Sequence, residues 1–175
     1  MLFGAMASVR ADALPPQSLL GQYASAGAYA DCWTADVPRS VSLAQYVEAF
    51  YTGGVFKVER LLLRLFLSMP STDEQARQLA AGALSTFSAW RVEERSANEL
   101  LMRAAGGRTR SWFMVSEGPA QSTRLYFGSA VVPVIDKTTG KSSLGLAFKL
   151  LLGFHRLYSR VLLGSAQCRL LRATD

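Results

Sequence analysis

A chain of 175 residues, half of them hydrophobic, is long enough to bury a full core and too apolar to be disordered or fibrous. Its 19 basic and 13 acidic side chains leave a net charge of +6, which points to an anionic partner only where the excess gathers in one place. A membrane span needs about 20 nearly uncharged apolar residues, and the best stretch, 144–163, is broken by Lys149, His155, Arg156 and Arg160, so a soluble protein is expected.

The N-terminus, MLFGAMASVRADALPPQ, has no basic region ahead of its apolar start, and the only nearby arginine follows it, the wrong order for a secretory signal. Cys32 and Cys168 stand far apart without a partner pattern, so a reducing, cytoplasmic setting is the expectation. Residues 1–27 are rich in Ala, Ser, Gly and Pro, and with Pro15 and Pro16 they read as a flexible arm before one domain over 28–175.

Within that domain Tyr29 to Val37 is strand-like and ends at Pro38, which cannot donate to a ladder. From Ser40 to Tyr51 the spacing of Val41, Leu43, Tyr46, Val47 and Phe50 predicts an amphipathic helix stopped by Gly53-Gly54. A second helix is predicted with Phe56, Leu62, Leu63, Phe66 and Leu67 on one face, Lys57, Arg60 and Arg64 on the other, and Pro70 as its limit. The run Ser71-Thr72-Asp73-Glu74 reads as a capping box for a third helix over Gln75 to Leu84.

The period then changes. Phe87 to Glu94, Glu99 to Ala105, Arg108 to Val115 and Thr123 to Val132 are short, aromatic and β-branched, separated by breaks that leave room only for hairpins. They predict an antiparallel meander, followed by a mobile loop from Ile135 to Ser143. The last and longest element, 144–172, carries the stripe Phe148, Leu151, His155, Tyr158 and Leu162, with Lys149, Arg156 and Arg160 on the other side. It holds five basic residues and no acidic one, so most of the excess charge lies on this helix.

The fold class is therefore α+β: an antiparallel β-meander gripping a long C-terminal helix, with additional helices between the first strand and the meander. The gap between sheet and helix is a natural cavity. This order, with the segments GRTRSWFMV, TRLYFGSAVV and LGFHRLYSRVLL, resembles uncharacterised bacterial members of the START-like (SRPBCC) superfamily, the helix-grip group of the birch-pollen allergens, polyketide cyclases and lipid-transfer domains. The resemblance covers 29–171 and implies a cavity that binds a small hydrophobic or lipid-like molecule.

His155 is the only histidine, which excludes multi-histidine metal sites and makes it the only catalytic candidate, as an acid/base in cyclase-like or hydrolase-like chemistry. The alternative is a hydrogen-bonded core histidine. On the strand from Arg108, either the arginines and Trp112 face inward or Thr109, Ser111 and Phe113 do. An inward Arg110 would need a carboxylate or an anionic ligand.

The candidate ligand-binding set is Trp90, Arg110, Trp112, Tyr126, His155 and Tyr158. Trp33 and Phe127 join the aromatics that either line the cavity or fill a core. Glu93, Glu94 and Glu99 flank a turn and read as solvated. Nucleotide, esterase and metalloenzyme signatures are absent, so no cofactor or metal is expected, and no nucleic-acid reader motif appears. Lys149, Arg156 and Arg160 offer a peripheral contact with an anionic surface.

Overall fold

The computed structural model describes residues 9–57, 71–135, 142–143 and 146–173, with side chains described outside 134–154. In chain order the elements are β1 (Arg10–Ala11), α1 (Gly21–Ser25), β2 (Tyr29–Val37), α2 (Leu43–Tyr51), α3 (Asp73–Ala80), β3 (Thr86–Phe87), β4 (Trp90–Arg95), β5 (Glu99–Ala104), β6 (Thr109–Glu117), β7 (Thr123–Val131), β8 (Val134–Ile135), β9 (Ser142–Ser143) and α4 (Leu146–Arg172).

Seven strands form one sheet in the order β1-β2-β7-β6-β5-β4-β3, with every neighbouring pair antiparallel. β4 to β7 pair in sequence because their connections are too short for anything but hairpins, and Gly107 supplies a positive φ (75°) in the β5–β6 turn. β2 then lies beside β7, with Tyr29 opposite Val131 and Val37 opposite Thr123. Two strands go beyond the expected five: β1, and β3, which folds back onto β4 through Phe87 and Trp90. Only two residues long, both carry too little period-2 pattern to show in the sequence.

The predicted helices stand with small shifts. Ser42 caps α2: its Oγ accepts from the Gln45 N–H at 3.2 Å, and Gln45 Oε1 accepts from the Ser42 N–H at 2.9 Å. The α3 box uses Thr72 and Gln75 instead of Ser71 and Glu74. The helix begins at Asp73, two residues before the expected Gln75, and so holds Asp73 and Glu74 in its first turn, where the helix dipole favours negative charge. The second predicted helix, 56–67, lies outside the described residues beyond Lys57. The expected loop 135–143 is described at its ends, where β8 and β9 pair antiparallel.

The sequence pattern assigns the covering of the meander to α4 alone. In the structure α2 shares that role, because α4 lies over β2 and β7 while α2 lies over β6. Phe50 meets Phe113 and Phe127 at ring-centroid distances of 4.7 and 4.8 Å, and Tyr46 and Tyr51 also pack on Phe113. From α4, Leu162, Leu163, Ala166 and Leu170 are buried in the same core. Its C-terminal half is tied down by Gln167 Nε2 donating to the Asp36 carbonyl at 2.7 Å and Arg39 Nη2 donating to the Leu170 carbonyl at 2.8 Å. Among the described residues no helix is long and apolar enough to cross a membrane.

The opposite, convex face of the sheet carries a second core of Cys32, Leu101, Trp112, Met114 and Ala130. Here the expectation of a loose arm gives way: the described part of residues 1–27 folds over this face. Leu20 is fully buried on it, with Leu14, Leu19 and Tyr23 packed around. The Pro15-Pro16 pair does not free the chain, because Pro15 supplies the carbonyl that accepts from the Ser18 N–H and hydroxyl. Gly128 makes the approach possible. A Cβ there would stand 2.8 Å from both the Asp31 carbonyl oxygen and Leu20 Cδ2 and 2.9 Å from Trp112 Cε3.

Candidate functional site

Between the concave face and the helices α2 and α4 lies a cavity of about 150 Å3. Alternation along the strands selects its walls: Thr109 and Ser111 share one face of β6, and Phe127 and Ser129 share one face of β7. Phe50, Tyr51, Phe56, Trp90, Phe127 and Leu162 make the apolar part, and Thr109, Ser111, Ser129, His155, Tyr158 and Ser159 the polar part. Ser111 sits directly opposite Ser129 in the β6–β7 register. His155 and Ser159 are one turn apart on α4 and close the cavity from the other side.

At the rim, three side chains from three elements meet. Ser129 Oγ donates to Asp31 Oδ1 at 2.7 Å, and the Ser129 N–H donates to the same oxygen at 3.0 Å. His155 Nε2 lies 2.6 Å from Ser129 Oγ and 3.7 Å from Asp31 Oδ2. The serine hydroxyl has one hydrogen and gives it to the carboxylate, so it accepts from His155 and the imidazole carries its proton on Nε2. In a Ser-His-Asp triad the serine and the acid meet opposite ring nitrogens, and the serine gives its proton to histidine. Here both approach Nε2 and the proton order runs the other way, so Ser129 is not activated as a nucleophile.

Tyr29 completes the rim. Its hydroxyl lies 3.4 Å from Asp31 Oδ2, and its ring meets His155 edge-on at 6.5 Å. Burial, reinforced by the Asp31 charge, pushes its pKa up to about 12, so it remains a neutral donor across the physiological range.

Of the six ligand-site candidates, the structure brings Trp90, His155 and Tyr158 to the cavity. Arg110, Trp112 and Tyr126 lie on the convex face instead, because β6 and β7 put their hydroxyls and phenylalanines inward. Arg110 is buried with its Nε 3.1 Å from Glu93 Oε2, not aligned as a hydrogen bond, and its guanidinium 4.6 Å above the Tyr23 ring. It also donates to the Gly107 carbonyl, and the Tyr23 hydroxyl donates to Glu93. Burial, then that bond to Glu93, raises the Tyr23 pKa.

Trp112 is fully buried and donates from Nε1 to Glu99 Oε2 at 2.7 Å, and the same oxygen accepts from the Leu19 N–H at 2.8 Å. Glu93 and Glu99, read from sequence as solvated, therefore anchor the N-terminal segment to the sheet. Tyr126 stacks at a tilt on Trp112 at 6.0 Å and accepts at its hydroxyl from Ser116 Oγ at 3.3 Å. Trp33 belongs to the concave core without lining the cavity, and its buried Nε1 lacks a hydrogen-bond partner among the described residues.

Asp31, Ser129, Ser111 and Ser159 escaped the sequence reading as site residues. One signal was available for Asp31: a carboxylate in a largely apolar strand requires a partner once that strand is buried. Arg156 and Arg160 are exposed on α4 as expected, and the Lys149 side chain lies outside the described residues. Among the described residues no three metal-ligating side chains converge. No protein-family model matches the chain, and neither does any curated protein or solved structure.

Proposed function

We propose that this chain is a START-like helix-grip protein that binds a small hydrophobic molecule in the cavity between the sheet and the helices α2 and α4. The observation that carries this reading is the cavity itself, apolar over most of its wall and bordered by hydroxyls and one imidazole. Ligand sites combine these features, apolar surface for affinity and a few polar groups for orientation. A dry apolar cavity of about 150 Å3 accommodates a benzene-sized guest, whereas drug-sized ligands need roughly 300 Å3 or more. The occupant is compact, on the scale of a single ring.

Titration of the purified protein with toluene, followed by tryptophan emission, tests this. Saturable quenching that disappears in Trp90→Phe is expected, since Trp90 lines the cavity. Absence of saturable binding would overturn the reading.

A second reading concerns the outer side of α4. Leu157 (58% exposed) and Val161 (44% exposed) stand beside the exposed Arg156 and Arg160. Apolar side chains flanked by cations, on a helix without acidic residues, match an anionic bilayer surface in both charge and polarity. Cosedimentation with phosphatidylglycerol vesicles should exceed that with phosphatidylcholine and fall as salt rises. Equal binding to both would refute it.

A further inference from the structure

Two of the hydroxyls facing the cavity have no partner among the described residues. Ser111 and Ser159 are 8% and 2% exposed, and neither side chain hydrogen-bonds to any described residue, whereas Ser129 beside them is fully engaged by Asp31 and His155. Neither hydroxyl oxygen is sealed among side chains without a partner; each opens onto the cavity, where water or a ligand can meet it. Ser111 is fixed in place by the pairing of β6 with β7, and Ser159 by α4 one turn beyond His155. One approaches from the sheet and the other from the helix.

The rest of the wall says what such a ligand is not. Among the described residues no Asp, Glu, Lys or Arg lines the cavity, and Arg110, which neighbours Ser111 in sequence, points to the other face of the sheet. A charged guest would enter without a counter-ion, at a cost that hydroxyls do not offset.

We propose that the cavity selects a compact, uncharged ring compound bearing a single hydroxyl or carbonyl group, with that group hydrogen-bonded by Ser111 and Ser159. The proposal rests on the binding reading above and adds the polar recognition that reading leaves open.

The test compares phenol, toluene and benzoate, at a pH where benzoate is ionised, on the full chain and on Ser111→Ala, Ser159→Ala and the double variant. The double variant should weaken phenol about 5- to 30-fold, the loss of two hydrogen bonds of about 0.5–1 kcal/mol each. Toluene should change less than about twofold, which also confirms that the cavity is intact. Should the double variant fail to fold, each single variant should still lower the ratio of phenol to toluene affinity.

Benzoate should not bind. An unchanged phenol-to-toluene ratio in the variants overturns the polar recognition while leaving toluene binding, and so the cavity reading, in place. Benzoate binding as tightly as phenol overturns the requirement for an uncharged guest. Failure of all three compounds to bind removes the cavity reading and this proposal together.

Discussion

Replacing Asp31 by alanine removes the acceptor on which the rim of the cavity is built. Its carboxylate, 10% exposed, accepts from both the backbone N–H and the hydroxyl of Ser129. The two donors do not suffer equally. Ser129 Oγ can turn toward His155, 2.6 Å away, once the imidazole moves its proton from Nε2 to Nδ1. The backbone N–H keeps the Asp31 carbonyl opposite it in the β2–β7 register and loses only the carboxylate.

The cost of Asp31→Ala is therefore that of the two hydrogen bonds to its carboxylate, about 1–3 kcal/mol. For a chain of this size that lowers Tm by roughly 4–8 °C at the middle of the range. Ser129→Ala should cost less, about 1 kcal/mol, because the backbone N–H at that position still donates to Asp31. The double variant should fall short of the sum, since both changes break the same bond. Urea denaturation of the four proteins measures all three quantities. Strict additivity, or Ser129→Ala more damaging than Asp31→Ala, would show that the carboxylate is not the hub.

Three further outcomes follow from the convex face and its edge. Gly128→Ala should destabilise by about 1–3 kcal/mol through overpacking, and Leu20→Ala should recover part of that, because Leu20 is one of the three groups the new methyl meets; thermal denaturation of the pair checks it. Glu99→Ala strips the partners of Trp112 Nε1 and the Leu19 N–H, so limited proteolysis should cut the chain near Leu19 faster than in the parent.

The third outcome concerns acid. The hydrogen bond from Arg124, helped by one from Arg10, holds the Asp36 carboxyl below its ordinary value. A depressed folded pKa contributes stability that is complete above the unfolded value, about 3.9, and is lost as pH falls through the lower folded one. Tm measured against pH should drop through that acid range, and Asp36→Asn should flatten the drop.

Periodicity made the main elements legible. β2 was readable from Tyr29 to Val37 because hydrophobic β-formers end at a proline. The meander was readable because short turns force consecutive strands to pair, and α2 and α4 because apolar side chains recur at three- and four-residue steps. The placement of His155 and Tyr158 on the inner stripe of α4 came from the same steps, since a helix that must bury one face leaves little choice of which residues point inward.

What periodicity could not decide was which side of a strand faces which neighbour. The alternation in Thr109-Arg110-Ser111-Trp112 is equally regular in either direction, and both faces of this sheet are covered, so the usual contrast between a buried and a wet side is missing. Only the packed structure shows that α2 and α4 take the phenylalanine and serine side, while the N-terminal segment takes the tryptophan and arginine side. That choice sends Arg110, Trp112 and Tyr126 away from the cavity and brings Ser111 and Ser129 into it.

The N-terminal segment itself was illegible for a related reason. Leu14, Leu19, Leu20 and Tyr23 have no helical or strand period, and their burial depends on a surface 80 residues away along the chain, anchored at Glu99 and Trp112. Sequence alone determined the longer elements and their order, while β1, α1 and β3 came to light only in the folded chain. Tertiary structure alone decided which residues meet, because contacts such as Asp31 with Ser129 and His155 join strands and a helix that local spacing cannot relate.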